Sequence, residues 1–259
     1  ESSLRTLESE LYKFYQNNVE YYATSNMTSK EVFLKPILDV VADVIERKGF
    51  VRVLEFGCGL SQLPQEMAKR FSRDQYELTM HDITATNRDF YESQNLKFVS
   101  GAVEDISETV PFDVILSLFV YEHVSRPVTT LNALDSMLAA DGYLVTVCPK
   151  YTFPLYIPPA LRHLPRSMQL LNNAKLVISS IVAQITRRPN FWIVTKPAAL
   201  FGTWRRDYDA IHMVSAVDLK VFLGSKGYEL RKLPIRLGSG RFARLAPFIL
   251  LAMIAQKGR

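Results

Sequence analysis

The sequence predicts an α/β protein built on one open, mostly parallel sheet. Three observations predict it. Short apolar runs alternate with helical patterns from residue 51 to residue 149. The first run, Val51–Phe56, closes in the glycine turn Gly57-Cys58-Gly59 before a helical segment. The fourth run, FDVILSLF at 112–119, is almost wholly apolar, as a strand covered on both faces must be. Strands alternating with helices imply parallel pairing through right-handed crossovers.

The elements follow in order. Residues 2–20 read as a helix with Tyr12, Phe14 and Tyr15 among its aromatic positions. A second helix starts at Thr28, where Thr28-Ser29-Lys30-Glu31 forms a capping box. Gly49 ends it. VRVLEF (51–56), YELTMHD (76–82), LKFVSG (96–101), FDVILSLF (112–119) and GYLVTVCP (142–149) read as five strands. LPQEMAKRF (63–71) and VTTLNALDSMLAA (128–140) read as helices between them. Residues 150–214 break the alternation with proline, aromatic and basic residues. A helix over 215–227, capped by Ser215, and two closing strands at 228–235 and 247–257 complete the chain. The expected organisation is a single domain over 1–259. It comprises N-terminal helices (1–50), a ligand-binding core (51–149), a basic and aromatic cap (150–214) and a closing unit (215–259).

Composition is that of an ordinary globular protein, 48% hydrophobic and 22% charged. The first fifteen residues are too charged for a secretory leader. Ser167 to Thr186 is weakly charged but too polar to span a bilayer. A cytoplasmic protein is expected, in contact with a membrane surface at most. Cys58 and Cys148 form no CxxC or Cys/His cluster, so they read as buried reduced thiols rather than zinc ligands.

The formal net charge of +5 conceals an asymmetry. Gly142 to Arg206 contains no Asp or Glu and nine bases, and the chain beyond Glu229 contains no acid and seven bases. The remainder holds fifteen bases against all 26 acids. An acidic body thus carries a basic cap.

The glycine turn lets backbone approach a ligand, and the helix after it presents free N–H groups. A purely structural turn would also use glycine. Asp82, at the end of the next strand, has the right placement to accept from both hydroxyls of a ribose. This geometry suits NAD and S-adenosylmethionine equally.

Beyond that point the sequence resembles the class I S-adenosylmethionine-dependent methyltransferases, with the small-molecule enzymes of ubiquinone synthesis nearest in pattern. VLEFGCGLS, MHDIT, FVSGAVEDI, PFDVILSLFVYEHV and LAADGYLVTV are similar to their five motifs, in order. The resemblance implies a Rossmann-like sheet of seven strands, the last antiparallel, with a helical cap after the fifth. It implies S-adenosylmethionine as cofactor and S-adenosylhomocysteine as product. Glu55, Gly57, Cys58 and Gly59 would hold the methionine end, and Asp82 with Ile83 the ribose. Val103 and Glu104 would flank the adenine, and Leu118 would lie beneath the reacting region. Ser61 replaces a common third glycine, and Ala102 an Asp that reads the adenine amino group.

A methyl on a sulfonium is already activated, so alignment is the main task, with a base added for a hydroxyl acceptor. His123 is the first candidate base and His212 the second. Glu122-His123 also resembles metal-dependent O-methyltransferases. Phe119 stands where those carry a further acid, which leaves Glu122, His123 and His212 as a thin metal site, so no metal is assigned and metal-assisted O-methylation stays an alternative. By the family topology, the cap and the 237–246 loop overhang the same edge. Tyr121, Trp192, Trp204, Arg205 and Arg241 are then candidates for an anionic, small or lipid-like acceptor, most simply methylated on oxygen. Peripheral membrane contact through 166–188 is a further expectation, since Arg166, Arg187 and Arg188 flank an apolar run. No nucleic-acid module is recognisable. Two rival readings are a nucleoside-binding relative without catalysis and an NAD-dependent oxidoreductase.

Overall fold

The structure, a computed structural model, describes residues 2–17, 27–106, 110–153, 156–201, 205, 207–235 and 241–258. Two helices come first, α1 (Ser2–Asn17) and α2 (Met27–Lys48). The core then runs β1 (Val51–Phe56), α3 (Leu63–Arg70), β2 (Tyr76–Asp82), α4 (Arg88–Glu92), β3 (Lys97–Ser100), β4 (Phe112–Leu118), α5 (Pro127–Met137) and β5 (Leu138–Pro149). The cap carries α6 (Arg166–Thr186). The chain closes with α7 (Ala216–Ser225), β6 (Glu229–Lys232), α8 (Arg241–Ile249) and β7 (Leu250–Gln256).

The seven strands form one sheet in the order β3-β2-β1-β4-β5-β7-β6. β7 is antiparallel to both its neighbours, and the first five strands pair in parallel. The strand order reverses between β1 and β4. Ligands bind at such a switch point, outside the carboxyl ends of the strands.

Alternation along the strands divides the core in two. Val53, Val114, Leu116 and Val145 face Ile37, Val41 and Val44 of α2. Leu54, Ile115 and Leu144 face Leu131 and Leu134 of α5 and Leu219 and Phe222 of α7. Period-two side chains on a doubly covered sheet explain why these strands read as continuous apolar runs.

Local signals account for the element ends. Gly49 takes φ +77° and its N–H reaches Ile45 O at 2.7 Å. Ser215 Oγ accepts from the N–H groups of Val217 and Asp218, capping α7. The helix expected from Thr28 begins at Met27 and runs through Pro36, while the capping-box side chains lie outside the described residues.

The differences from expectation that change an element's extent most lie at three places. The helix expected over 128–140 ends at Met137, because Leu138 joins the sheet opposite Phe112. The strand expected over 247–257 begins only at Leu250. Pro247 and Phe248 belong to the end of α8, and the Pro247 carbonyl accepts from Lys150 Nζ at 2.8 Å. An uninterrupted apolar run gives no periodicity from which to tell the last helical turn from a strand. The strand expected over 228–235 narrows to 229–232. Of the loop expected at 237–246, residues 237–240 lie outside the described residues and the rest is helix.

Candidate active site

The turn after β1 is held from the neighbouring strand. Gly57 and Gly59 have φ of +70° and +52°, conformations that a side chain would strain. The Cys58 N–H donates to His81 O at 2.8 Å, and the Gly59 N–H to Asp82 Oδ2 at 2.9 Å. Asp82 Oδ1 stands 3.5 Å from the Thr84 N–H. Tyr91 of α4, which the sequence did not single out, completes the turn. Its hydroxyl donates to Gly59 O at 2.7 Å and accepts the Ser61 N–H at 2.8 Å. Burial, with the charges of Cys58 and Glu55, pushes this phenol far up, so it stays a donor. Ser61 Oγ accepts the Leu63 N–H at the start of α3.

Glu55 is fully buried beneath the turn, and Leu118 is buried at the end of β4. Val103 is buried after β3. Glu104 is engaged by Arg126 at 3.1 Å, and Arg126 also pairs with Glu8 of α1 at 3.1 Å. Ile83 packs against the cluster of Leu7, Leu11, Tyr15 and Ile211. A rigid pair of left-handed glycines beside a buried carboxylate at a strand end is a donor set that fits a nucleoside with a ribose diol. Glu55, Gly57, Cys58, Gly59, Asp82 and Ile83 would hold that ligand.

A second group of polar side chains lies one strand away. Phe119, just past β4, takes φ +58°, an unusual conformation for an aromatic residue, and its ring meets Phe33 of α2. The position that would carry a metal-binding acid therefore faces the core. Among the described residues no group of three or more His, Cys, Asp or Glu is placed to hold a metal ion.

The chain then makes a 3-10 turn, Tyr121–His123. His123 Nδ1 lies 2.8 Å from Asp209 Oδ2, and Nε2 lies 4.0 Å from Glu122 Oε1. Tyr15 of α1 donates to the same Asp209 oxygen at 2.9 Å. Burial alone would lower the pKa of His123. Asp209, then Glu122 and Asp207, outweigh burial and raise it to about 10. Burial raises Glu122 to about 7, opposed by His123 and assisted by Asp207 and Asp209. Asp209 is also buried, yet His123 and Tyr15 hold its carboxyl below the usual range.

His212 sits beside this group in a different role. Its backbone N–H donates to Glu122 O at 2.8 Å, and its Nδ1–H to Tyr121 O at 2.8 Å. Burial lowers its pKa to about 4, so the ring is neutral and a weak base. It fastens the 209–214 segment to the end of β4 and so sets Asp209 against His123.

The expected acceptor residues separate. Tyr121 is fully buried against Phe56 rather than lining an opening. Trp192 packs on the cap's own core of Tyr151, Leu161, Leu176 and Met213. Arg205 is exposed. Trp204 and the Arg241 side chain lie outside the described residues. Tyr15, Tyr91 and Asp209 were not predicted. Each acts through a contact formed in three dimensions, and no local spacing announces it.

Comparison with known proteins places this geometry. A family model described as a methyltransferase domain matches residues 8–233. The malonyl-[acyl-carrier protein] O-methyltransferase of Halalkalibacterium halodurans is 26% identical over 125 residues, 46% of this chain and 44% of that protein. Its namesake in Porphyromonas gingivalis is 23% identical over 143 residues, 54% and 53% of the two chains. The chain thus spans about half the length of the curated relatives it matches. The Burkholderia thailandensis 1,6-didemethyltoxoflavin N1-methyltransferase, solved with S-adenosylhomocysteine, shares the fold. Its TM-score is 0.54 at 12% identity, covering 97% of this chain and 90% of that one. With the family model spanning most of its length and the sheet order and glycine turn in place, the chain belongs to the methyltransferase-domain family of class I S-adenosylmethionine-dependent enzymes.

Proposed function

We propose that the protein methylates a hydroxyl oxygen of a small or lipid-like acceptor, with His123 as general base and Asp209 as its orienting carboxylate. The observation that carries this reading is the 2.8 Å approach of His123 Nδ1 to Asp209 Oδ2 at the end of β4. Bound S-adenosylmethionine supplies a methyl group already activated by its sulfonium. The chain must align the acceptor and remove its proton. Asp209 would hold the proton on Nδ1 and leave Nε2 to take the acceptor hydroxyl's proton, while the methyl carbon would pass from sulfur to that oxygen and leave S-adenosylhomocysteine behind. Without ligands the ring is an imidazolium at neutral pH. A cationic donor bound nearby favours the neutral ring, so the base form belongs to the loaded site.

Glu122, Asp207 and Asp209 gather acidic charge around His123, whereas the rest of the cap, 150–206, carries bases and no acid. An anionic group on the acceptor therefore points outward. Arg162 is one candidate to meet it, since its charge reaches Tyr156, which also feels Asp207 and Glu122.

The names of the curated relatives favour a second acceptor, the carboxylate of an acyl chain on a carrier protein. A carboxylate needs no base, so one experiment separates the two. S-adenosylhomocysteine release is measured with hydroxyl and carboxylate acceptors for the parent and for His123→Asn. A hydroxyl acceptor whose turnover falls about a hundredfold or more in the variant, with cofactor affinity unchanged, supports the base. Unchanged turnover on the preferred acceptor removes His123 from that role.

A further inference from the structure

The helix α6 is amphipathic in the inverted sense. The face it buries holds Asn173 and Ser180 beside Leu176 and Ala183. Asn173 Nδ2 reaches the carbonyls of Tyr151, Phe153 and Tyr156 at 3.2–3.4 Å, and Ser180 Oγ meets Ser215 Oγ at 2.7 Å. The face it exposes holds Leu170, Leu171, Ile178, Ile181, Val182 and Ile185. Ile178 is 59% exposed and Ile185 75%, whereas Asn173 is 5% exposed. A helix that buries amides and hydroxyls and shows isoleucine to solvent has no partner on its apolar side among the described residues.

From Leu170 to Ile185 the stripe extends about 23 Å at 1.5 Å per residue, most of the 21-residue helix. At 100° per residue it covers an arc of about 120°, wider than the seam of a two-helix coiled coil. Bases frame it: Arg166 at one end, Arg187 and Arg188 at the other, Lys175 on one flank. From 142 to 206 there is no acid. Two copies meeting through this face would bring base against base, with no carboxylate in the segment to pair them. No helix among the described residues is long and apolar enough to cross a membrane.

We propose that the outer face of α6 docks on an anionic bilayer surface, lying in its plane with its apolar stripe among the acyl chains and its bases at the headgroups. Broad apolar exposure, basic ends and an absence of acids are the combination such a surface recognises. This site is remote in role from the methyl-transfer site and stands whatever the acceptor proves to be.

The test is co-sedimentation of the full chain with vesicles of equimolar phosphatidylglycerol and phosphatidylcholine, against vesicles of phosphatidylcholine alone. Tight binding to the first and weak binding to the second is expected. The neutral double substitution Ile178→Asn with Ile185→Asn should bind at least about tenfold more weakly with its melting temperature and cofactor affinity intact. Separately, the reporter Ile181→Trp should show a blue-shifted emission on the anionic vesicles. A parent that stays in the supernatant overturns the proposal, as does a double variant that binds like the parent. A parent dimer that the double variant dissolves, without vesicle binding, assigns the face to a second copy instead. Retention of the parent but not the double variant on an acidic acyl-carrier protein, again without vesicle binding, assigns it to that partner.

Discussion

The Tyr15 hydroxyl donates to Asp209 Oδ2 at 2.9 Å across 194 residues of chain, joining the N-terminal helix to the cap. The same oxygen faces His123. Removing the hydroxyl with Tyr15→Phe should cost about 1–2 kcal/mol in denaturant unfolding. It should also shift the pH profile of turnover, because Asp209 loses one of the groups that keep it ionised beside His123. A variant that loses stability but keeps the parent's profile would leave Tyr15 with a packing role alone.

Asp82→Ala should weaken S-adenosylhomocysteine binding by a few kcal/mol in calorimetric titration, since a buried carboxylate at a strand end makes charge-assisted bonds. It also frees the Gly59 N–H, so part of the loss reflects a looser turn. NAD serves as the control ligand and should not bind the parent. Unchanged affinity in the variant would remove Asp82 from the cofactor site.

Tyr91→Phe isolates the turn from the ribose contact. It deletes the bonds to Gly59 O and from the Ser61 N–H, and leaves the ring stacked on Phe98. Affinity for S-adenosylhomocysteine should fall about tenfold, equivalent to about 1.4 kcal/mol. An affinity equal to the parent's would show that the turn holds its shape without the phenol.

Glu122 sets a pH dependence with a definite sign. Its pKa is raised from 4.5 to about 7, so the folded state holds its proton more tightly than the unfolded chain. The stability this confers is present below pH 4.5 and lost as pH rises through about 7. Glu122→Gln, which stays neutral, should therefore be the more stable protein at pH 8, by on the order of 2–3 kcal/mol, and lose that advantage below about pH 4.5. His123, raised from 6.5 to about 10, adds stability that is full below pH 6.5 and lost as pH rises through about 10. Melting curves from pH 4 to pH 10 on both proteins check the two signs. A variant no more stable than the parent at pH 8 would contradict the burial of Glu122.

Most of the sheet was legible because its strands obey short-range rules. VRVLEF and YELTMHD have the bounds the sequence predicts, since apolar runs end at a glycine turn and at an acid. Leu138 and Pro247 were not legible, because strand and helix share the same apolar composition there. The glycine turn and Asp82 announce themselves by sequence order along one strand–turn–helix unit. The group around His123 does not, because it joins α1, the turn after β4 and the cap. Asp209 becomes meaningful only once His212 has bonded to Tyr121 O and Glu122 O, and no spacing encodes that.

The position of α1 ties two distant stretches of chain to one support. Leu7, Leu11 and Tyr15 pack on Ile83, which follows Asp82, and on Ile211, two residues beyond Asp209. A change that loosens this one helix would therefore disturb the surroundings of Asp82 and of Asp209 together, however far apart the two lie in sequence.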